Sequence, residues 1–492
     1  MSSHTRRGFA LVFAFTTAAI VAAEKPAPAE PAFPGALGWA AHTPGGRGGK
    51  IVKVTTLAAS GPGSFAEAAN TQGPRIIVFE VGGVIDLDKQ TVRIKEPFVT
   101  VAGQTAPSPG VTFIRGGMLI DTHDVVIQHI RVRPGEAGLP KKSGWEIDGM
   151  STLQGARNII VDHCSFTWAV DENLSVSGKF FQGGDTPEDW RRAASQRVTF
   201  SHNIIAEGLS VSTHTKGEHS KGTLLMDNSS EILIYGNLYA SNVNRNPEIK
   251  GGTFAAVINN FIYNPRGTAV NYHMTHVWNG RAIVVAKNEI SGNVLRHGPD
   301  TPAALALFRF GGIGDLEIHQ ADNVAMDRAG HPARLLYEDN RYGGKLRPSA
   351  TPVYWPPGLE AMPASAVPDY VAKHAGARPW ERDAIDQRIV RQALDGTGRV
   401  INSEQDVGGY PQVKETRQPF NPAEWDLHTM TRKNGRRAAA AFGFRARRCY
   451  RGSHRPSPLE NRLASPARRC CLRAGPSPFR FPAPCRAPYR RN

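Results

Sequence analysis

Short apolar runs, each followed by a polar corner, recur through the middle of the chain. Ile159-Ile160-Val161 leads into the polar step Asp162-His163-Cys164. Comparable runs lie at residues 125–130, 198–205, 232–239 and 255–263. Each run has the length of one buried strand. A repeat of strands and tight corners is typical of a solenoid, in which every coil buries its apolar face against its neighbours.

One position after the apolar runs aligns across the repeats. Cys164, Asn203, Asn237 and Asn260 occupy it, at steps of 39, 34 and 23 residues. The shortest step suits one coil of a parallel β-helix, and the longer ones suit coils with inserted loops. We expect an asparagine ladder, in which each amide hydrogen-bonds the turn and the next amide; the alternative is that Asn only marks turns. Cys164 is then predicted to be a buried, unreactive thiol.

The repeat predicts an all-β fold, a parallel β-helix with an N-terminal capping helix and an irregular C-terminal extension. Ser64 with Glu67 three residues later is a helix-start signal. We therefore expect a short helix over residues 64–69 that covers the open end of the solenoid. The first strands are expected at residues 75–79 and 99–102.

The later part of the chain is expected to finish the solenoid and then cover it. Short apolar runs predict late coils at residues 282–286 and 304–310. Residues 340–431 are rich in proline and irregular, with one helix expected near residues 381–394. We expect this segment to pack along the outside of the coils.

The chain opens with the pattern of an export signal. Arg6-Arg7 precedes an apolar run over residues 9–22, and Val21-Ala22-Ala23 offers small residues for cleavage. The run is shorter than the roughly 20 residues that a spanning helix needs, so we predict a signal peptide over residues 1–23 and a linker over residues 24–32. A plain secretory signal and a twin-arginine signal both stay open. A secreted or periplasmic protein without a membrane partner follows.

The net charge is concentrated in a C-terminal tail, residues 432–492. The tail holds 17 of the 59 Lys and Arg residues and one acid, Glu460, which accounts for the full net charge of +16. The remainder is neutral, so the composition does not describe a basic, nucleic-acid-binding enzyme. The tail shows no helical or strand periodicity, and we predict that it is disordered.

Four of the five cysteines lie in the same tail, at Cys449, Cys470, Cys471 and Cys485. Their spacing matches no zinc-site pattern. Three interpretations of the tail are open: a polyanion-binding segment, a disulfide-bearing appendage, or the product of translation in a shifted frame. We favour the third, in which the tail has no function, because the composition changes abruptly after Lys433-Asn434-Gly435.

The part of the chain before the tail carries six motifs in a distinctive order. They are Phe33-Pro34-Gly35-Ala36, Gly45-Gly46-Arg47-Gly48-Gly49, Ser60-Gly61-Pro62-Gly63-Ser64, Ala102-Gly103-Gln104-Thr105-Ala106-Pro107, Val161-Asp162-His163-Cys164-Ser165-Phe166 and Asn244-Arg245-Asn246-Pro247. Their order and spacing resemble secreted bacterial pectate lyases of polysaccharide lyase family 1, from about residue 33 to residue 410. The resemblance implies a right-handed, single-stranded parallel β-helix over residues 33–431. It also implies calcium-dependent β-elimination of polygalacturonate.

This chemistry requires a cluster of acids, because a uronate loses its C5 proton only when the neighbouring carboxylate is neutralised by a cation. Asp148 and the pair Asp171-Glu172 lie on successive coils and could converge on one face. The resemblance matches Asp148 and Asp171 to calcium ligands. It puts Ser175 where the family often has a further acid, for which Glu172 could compensate. Ca²⁺ is the expected cofactor; the alternative is that these acids are ordinary loop charges.

For proton abstraction the resemblance points to Arg245, with Lys250 as a substrate-binding cation. A guanidinium normally keeps its proton. Two roles therefore stay open: Arg245 as the base, or Arg245 as a clamp on developing charge while hydroxide or a neighbour takes the proton. The loop at residues 213–219 adds Lys216 and His214 as candidate contacts for a uronate carboxylate, and its spacing is not that of a zinc site.

Other functions place different demands on the same fold. A glycoside hydrolase would need carboxylates that flank the scissile bond, and the chain contains no Asp-Asp pair and no Gly-His-Gly motif. A lyase for a different uronan and a non-catalytic β-helix that binds polysaccharide are the remaining alternatives. The expected partner is an acidic polysaccharide such as polygalacturonate or pectin, with no nucleic acid, and the expected state is a monomer.

Overall fold

Nine coils of the described chain each contribute one strand to each of three sheets, as the β-helix prediction requires. The computed structural model describes residues 30–153 and 155–433. The first sheet has eleven parallel strands: Lys50–Val54, Arg75–Phe79, Val99–Ala102, His123–Gln128, Arg157–Asp162, Gln196–Ser201, Ser230–Tyr235, Phe254–Ile258, Ala286–Ser291, Leu316–Ala321 and Leu346–Ser349.

The second and third sheets follow in the same coil order. The second sheet holds Val81–Asp86, Val111–Ile114, Arg131–Arg133, Ser165–Thr167, Ile204–Ala206, Leu238–Ala240, Phe261–Tyr263, Val294–Arg296 and Val324–Met326. The third sheet has two parts, joined by a single bridge between Val176 and Leu225. Its strands are Thr91–Ile94, Gly117–Ile120, Met150–Thr152 and Leu174–Ser175, then Leu224–Leu225, Glu248–Lys250, Val270–Met274, Phe308–Gly312 and Leu336–Asp339.

Aliphatic side chains stack along the axis of the coils and form the core. In the first sheet, Val125, Ile159, Val198 and Ile232 lie in register on four consecutive strands. All four are fully buried. Burial of one such side chain contributes about 1.5–3 kcal/mol. The recurring apolar runs of the sequence are therefore the inner faces of successive coils.

The predicted asparagine ladder occupies the corner between the first and second sheets. The Asn203 side-chain oxygen accepts a hydrogen bond from the Cys164 amide at 2.8 Å, and Asn237 accepts from the Asn203 amide at 2.8 Å. Asn237 also donates to the Asn260 side chain at 3.0 Å. Cys164 is fully buried, and burial raises the pKa of its thiol far above the usual value.

The ladder is longer than the sequence repeat suggests. Asn260 donates its backbone N–H to the Asn293 side chain at 3.0 Å, and Asn293 in turn donates to the Asn323 side chain at 3.0 Å. Five asparagines in the described chain thus close consecutive corners, which confirms the ladder over the alternative of isolated turn residues.

Helix α1 (Phe65–Ala69) begins where the sequence predicts, with the Ser64 side chain accepting from the Glu67 amide at 3.2 Å. Phe65 packs against Phe79 and Phe113, with ring centroids 6.0 and 4.8 Å apart. The strands predicted at residues 75–79 and 99–102 are confirmed, but they are not the first, because Lys50–Val54 precedes the helix and pairs with Arg75–Phe79. This edge strand is half exposed and lacks the continuous apolar run of the inner strands.

Two late strands are displaced from their predicted positions. Residues 282–285 form a loop, and the strand begins only at Ala286. Ile283 is 46% exposed, so this apolar run does not mark a buried strand. The other predicted strand, residues 304–310, is found as Phe308–Gly312.

Helices cover the coils from outside. Helix α2 (Pro187–Ala193) lies in an insertion before the strand Gln196–Ser201. Helix α3 (Val367–His374) was not predicted, whereas helix α4 (Ala384–Asp395) confirms the helix expected near residues 381–394. Both α3 and α4 pack apolar residues on the second sheet. Short 3-10 helices lie at Gly103–Thr105, His276–Trp278, Asn340–Tyr342, Ala364–Ala366, Pro379–Glu381, Glu404–Val407 and Pro422–Glu424.

The end of the described chain returns to the first coils. Thr416–Arg417 pairs antiparallel with Val81 and Gly82 at the edge of the second sheet. Trp425–Asp426 and Thr431–Arg432 form a final hairpin, so packed structure continues past the predicted domain boundary at residue 431. Within residues 30–433, no helix is long and apolar enough to cross a membrane. The predicted signal peptide, most of the linker, and the tail beyond residue 433 lie outside the described residues.

Candidate active site

A cluster of charged side chains lies where four successive loops leave the second sheet and enter the third. Glu172, Lys221 and Asn244 are paired by parallel backbone bridges just before their third-sheet strands. Parallel strands are spaced about 4.8 Å apart. Residues that follow the same register therefore become neighbours, although they are separated by tens of positions in the sequence.

Three acids converge at this place, as the sequence predicts. One oxygen from each of Asp148, Asp171 and Glu172 lies within 4.8 Å of the other two. The Asp148 carboxylate accepts from the Glu172 amide at 3.0 Å and from the Ser151 hydroxyl. Burial and the nearby charge of Asp171 raise the pKa of Asp148 to about 7. Such crowding of carboxylates is costly unless a cation or a proton neutralises it.

Arg245 lies across from these acids and connects them to a second carboxylate. Its guanidinium forms an ion pair with Glu172, and its Nε donates to Glu248 at 3.2 Å. Lys250 donates to the other oxygen of Glu248 at 3.2 Å. Burial alone would raise the pKa of Glu248, but the charges of Arg245 and Lys250 lower it below its usual value. Acidic and basic side chains therefore alternate from Glu172 through Arg245 and Glu248 to Lys250.

The loop at residues 213–219 places two imidazoles behind the acids. His219 Nε2 lies 2.6 Å from the Asp171 carboxylate, and the rings of His219 and His214 stack with centroids 3.7 Å apart. Burial alone would raise the pKa of Asp171, but the hydrogen bond from His219 lowers it. His214 is fully buried and Lys216 is exposed on the same loop. Of these two residues, only Lys216 is accessible to a substrate.

Relatives of the chain carry a common name. It is 32% identical over 388 residues to a probable pectate lyase C from Emericella nidulans, covering 77% of this chain and 80% of that protein. It is 31% identical over 402 residues to a probable pectate lyase C from Aspergillus flavus, covering 79% and 83%. The chain belongs to the pectate lyase family. The resemblance of the sequence motifs, and with it the assignment to the polysaccharide lyases, is confirmed.

Two further comparisons accompany these relatives. A crystal structure of jun a 1, the major allergen from cedar pollen, aligns with a TM-score of 0.49 and 15% identity, over 70% of this chain and 92% of that one. No family model matches the chain. The assignment to the pectate lyases therefore rests on the sequence relatives.

One cation of this pectate lyase site is absent from the sequence-based prediction. Lys221 lies between the Glu172 and Asn244 coils in the backbone ladder, and it interacts electrostatically with Glu248 and Asp171. Burial lowers the pKa of Lys221, while those carboxylates oppose the shift. Lys221 and Gly222 come before a third-sheet strand, as Glu172 and Asn173 come before the strand of the preceding coil. This shared position relative to the strands was the signal from which Lys221 could have been predicted.

Two polar groups that the motifs emphasise lie away from the acid cluster. Ser175 is fully buried in a third-sheet strand, where its hydroxyl accepts from the Leu224 amide at 3.1 Å. Asp162 lies at the ladder corner and accepts hydrogen bonds from His163 and His202, at 2.6 and 2.9 Å. Ser175 therefore gives the acid cluster no further ligand, and Asp162 supports the coil.

Proposed function

We propose that this pectate lyase cleaves polygalacturonate by calcium-assisted β-elimination and releases unsaturated oligogalacturonides. The observation that carries the proposal is the convergence of Asp148, Asp171 and Glu172 opposite Arg245, on loops that the sequence separates by almost 100 residues. A scaffold that only bound polysaccharide would not need to crowd three acids beside a guanidinium. Members of the family named above supply the reaction class.

The acids fit a calcium ion by the chemistry of their donors. Carboxylate oxygens are the ligands that Ca²⁺ prefers, and three of them lie together at Asp148, Asp171 and Glu172. Burial and the neighbouring charge of Asp171 raise the pKa of Asp148 to about 7, and a bound cation would offset both effects. When bound, Ca²⁺ neutralises the uronate carboxylate and stabilises negative charge that develops beside it. The same residues would hold it between protein and substrate.

The protein residues would carry out the elimination as follows. The C5 proton leaves, the C4–O bond breaks, a C4=C5 double bond forms, and the leaving oxygen gains a proton. Arg245 is the catalytic residue in this proposal, stabilising charge at C5 and accepting the proton if its own proton can leave. A guanidinium normally keeps its proton, and that of Arg245 contacts two carboxylates, Glu172 and Glu248. These contacts support the role of charge stabilisation more than that of base.

Three lysines would position the polyanion. Lys250 lies beside Glu248 at the edge of the site, and Lys216 is exposed on the adjoining loop. Lys221 lies between the Glu172 and Asn244 coils in the backbone ladder, and burial lowers the pKa of its ammonium group, which favours proton exchange. His214, which the sequence offered as a further substrate contact, is buried behind Asp171 and fits a supporting role better.

The decisive test is spectroscopic. Purified protein mixed with polygalacturonate and Ca²⁺ should generate ultraviolet absorbance from the C4=C5 unsaturated uronide. Arg245→Ala and Asp171→Asn serve as matched inactive controls. Absorbance with alginate or another uronan, and none with polygalacturonate, would identify a lyase for a different substrate. Binding without any absorbance would support a non-catalytic polysaccharide-binding protein and overturn the proposal.

The cellular setting is part of the same proposal. We infer export through the signal at residues 1–23, a secreted or periplasmic location, and action as a monomer on an acidic polysaccharide. The neutral composition of residues 1–431 supports binding through the local site and not through a general positive field. Mass spectrometry of the exported protein would test the cleavage point after Ala23.

A further inference from the structure

A second group of metal-binding side chains lies beside the acid cluster. Asp171, His214 and His219 each offer one ligand atom, and these atoms lie within 4.8 Å of one another. His219 Nε2 is 2.6 Å from one oxygen of Asp171, and His214 Nε2 is 3.8 Å from the other. Both imidazoles therefore direct their Nε2 atoms at the Asp171 carboxylate.

One of these nitrogens is buried without a hydrogen bond. The His214 side chain is fully buried, and its Nε2 has no hydrogen-bond partner in the described structure. Its Nδ1 accepts a hydrogen bond from the Lys216 amide at 3.1 Å and lies 3.3 Å from Glu146 Oε1. In this tautomer Nε2 carries the hydrogen; a metal would bind the other tautomer, in which Nδ1–H donates to Glu146 and Nε2 directs a lone pair toward Asp171. A carboxylate behind an imidazole is the arrangement that orients metal-bound histidines.

We propose that His214, His219 and Asp171 form a second cation site, which takes a divalent transition-metal ion and shares Asp171 with the acid cluster. Imidazole nitrogens favour Zn²⁺, Co²⁺ and Ni²⁺, whereas Ca²⁺ takes oxygen ligands. The two sites therefore select different ions although they meet at one residue. This proposal goes beyond the lyase activity and does not depend on it.

The geometry needs only a small adjustment to hold such an ion. Ligands about 2.0–2.1 Å from a tetrahedral metal lie roughly 3.4 Å from each other. The Asp171–His214 separation of 3.8 Å is close to that value, whereas the 2.6 Å contact with His219 must open. The metal takes the place of the hydrogen between His219 Nε2 and Asp171, so His219 binds as a neutral ring with its hydrogen on Nδ1.

A similar cluster elsewhere in the fold differs in the hydrogen bonds of its ring nitrogens. Asp162, His163 and His202 also lie within 4.8 Å of one another. There Asp162 accepts from both histidines, and His202 Nε2 lies 2.9 Å from the Tyr370 hydroxyl. No ring nitrogen of His202 is left for a metal. The unpartnered His214 Nε2 is what distinguishes the group around Asp171.

The test is a Co²⁺ titration of the full-length chain without a polyhistidine tag, followed by visible absorbance. Co²⁺ bound through imidazole and carboxylate should give a visible band in the parent protein. His214→Gln and His219→Gln should each lower the Co²⁺ affinity at least tenfold. Glu146→Gln should lower it about tenfold by removing the group that orients His214. His331→Gln is the matched control, because His331 also lies beside an aspartate but is 76% exposed.

Three results would overturn the proposal. Equal Co²⁺ affinity in the parent and in folded His214→Gln or His219→Gln would place the metal elsewhere. Intense near-ultraviolet charge-transfer absorbance, with no loss in these variants, would assign the metal to the tail cysteines. Equal weakening in His331→Gln would indicate non-specific surface binding. Because the readout is binding, an inactive lyase would not affect the outcome, and failure here would leave the lyase proposal intact.

Discussion

Arg245 and Glu172 form an ion pair although they lie two steps apart in the stack of coils, with the Lys221 coil between them. The guanidinium is also held by Glu248. Glu172 is at the same time one of the three acids of the proposed calcium cluster. Cation binding at Glu172 would therefore loosen its hold on Arg245, which would couple metal occupancy to the freedom of the guanidinium that we propose as catalytic.

The first prediction concerns Arg245→Lys. This change keeps the positive charge and removes the planar fork that contacts two carboxylates. If Arg245 stabilises charge in the transition state, kcat should fall roughly a hundredfold or more while KM changes little. Steady-state kinetics on polygalacturonate, followed by ultraviolet absorbance, measures both constants.

Lys250→Ala is the internal control for that experiment. Lys250 contacts Glu248 and not the acid cluster, and we expect it to hold a uronate equally in the ground and transition states. KM should rise and kcat should survive. If the two variants behave alike, the division of roles between Arg245 and Lys250 is wrong.

The second prediction concerns metal removal. A calcium chelator should abolish lyase activity and leave the melting temperature almost unchanged, because the stacked coils supply the stability and the metal is held partly by substrate. Differential scanning calorimetry with and without chelator checks the second half. A large fall in melting temperature would show that the metal is structural.

The third prediction concerns the ladder. Asn237 is fully buried, accepts two bonds from Asn203, and donates to Phe200 and Asn260. Asn237→Ala leaves several buried groups unpaired and should lower the free energy of unfolding by about 3 kcal/mol. The exposed Asn279→Ala should change it by less than about 0.5 kcal/mol. Chemical denaturation compares the two, and similar values would remove the ladder from the account of stability.

The fourth prediction concerns acid stability through Asp339. The hydrogen bond from Arg341 and that from Arg309 hold the pKa of Asp339 well below its usual range, against an opposing effect of burial. A lowered folded-state pKa stabilises the fold above the ordinary carboxyl value of about 4. This contribution is lost as the pH falls through the folded-state pKa.

Asp339→Asn should therefore destabilise the protein by about 2 kcal/mol at neutral pH. It should also flatten the decline in stability below about pH 4. Unfolding monitored from pH 7 to pH 2 tests both effects. Asp395→Asn, at an exposed position on α4, is the control. Equal pH profiles for Asp339→Asn and the parent would contradict this assignment.

The fifth prediction concerns the tail. Deletion of residues 434–492 should leave folding and activity unchanged, because the tail has no apolar periodicity to pack against the coils. The cut follows the hairpin of Trp425–Asp426 and Thr431–Arg432 and spares Met430, which is buried. Deletion from residue 420 onward is the contrast and should lower the melting temperature. Loss of soluble protein on the shorter deletion would refute the prediction.

The sequence predicts the coils well where both faces of the first-sheet strand are apolar. Asn237 and Asn260 are recognisable because an apolar triplet precedes each, and Asn203 because Val198 and Phe200 flank only Thr199. Asn293 is not, because its strand carries Glu289 at the position aligned with Ala256 and Leu233. Glu289 is buried there because the Val353 and Tyr354 amides donate to it. A covering segment, which local sequence does not reveal, makes this acid acceptable in a strand.

The candidate site was predictable only in part. Asp148, Asp171, Glu172 and Arg245 converge as the motifs suggest. Lys221 was not singled out, because its place depends on how a long loop returns to the third sheet between Glu172 and Asn244. An inserted loop adds residues between two strands without changing how the strands pair. Spacing along the chain therefore does not show which side chains become neighbours.

The strand Thr416–Arg417 joins residues that are very far apart in the sequence. The Thr416 hydroxyl reaches the Gly82 carbonyl, 334 positions earlier in the chain. Coils that contact only their neighbours can assemble progressively from either end. The edge beside Val81, in contrast, stays open during synthesis until most of the described chain has emerged, and closing it costs the entropy of a loop of more than 300 residues. Docking of this strand should be the last event of folding, visible in pulse-labelled hydrogen exchange as late protection of the Gln418 amide, which donates to the Glu80 carbonyl at 2.9 Å.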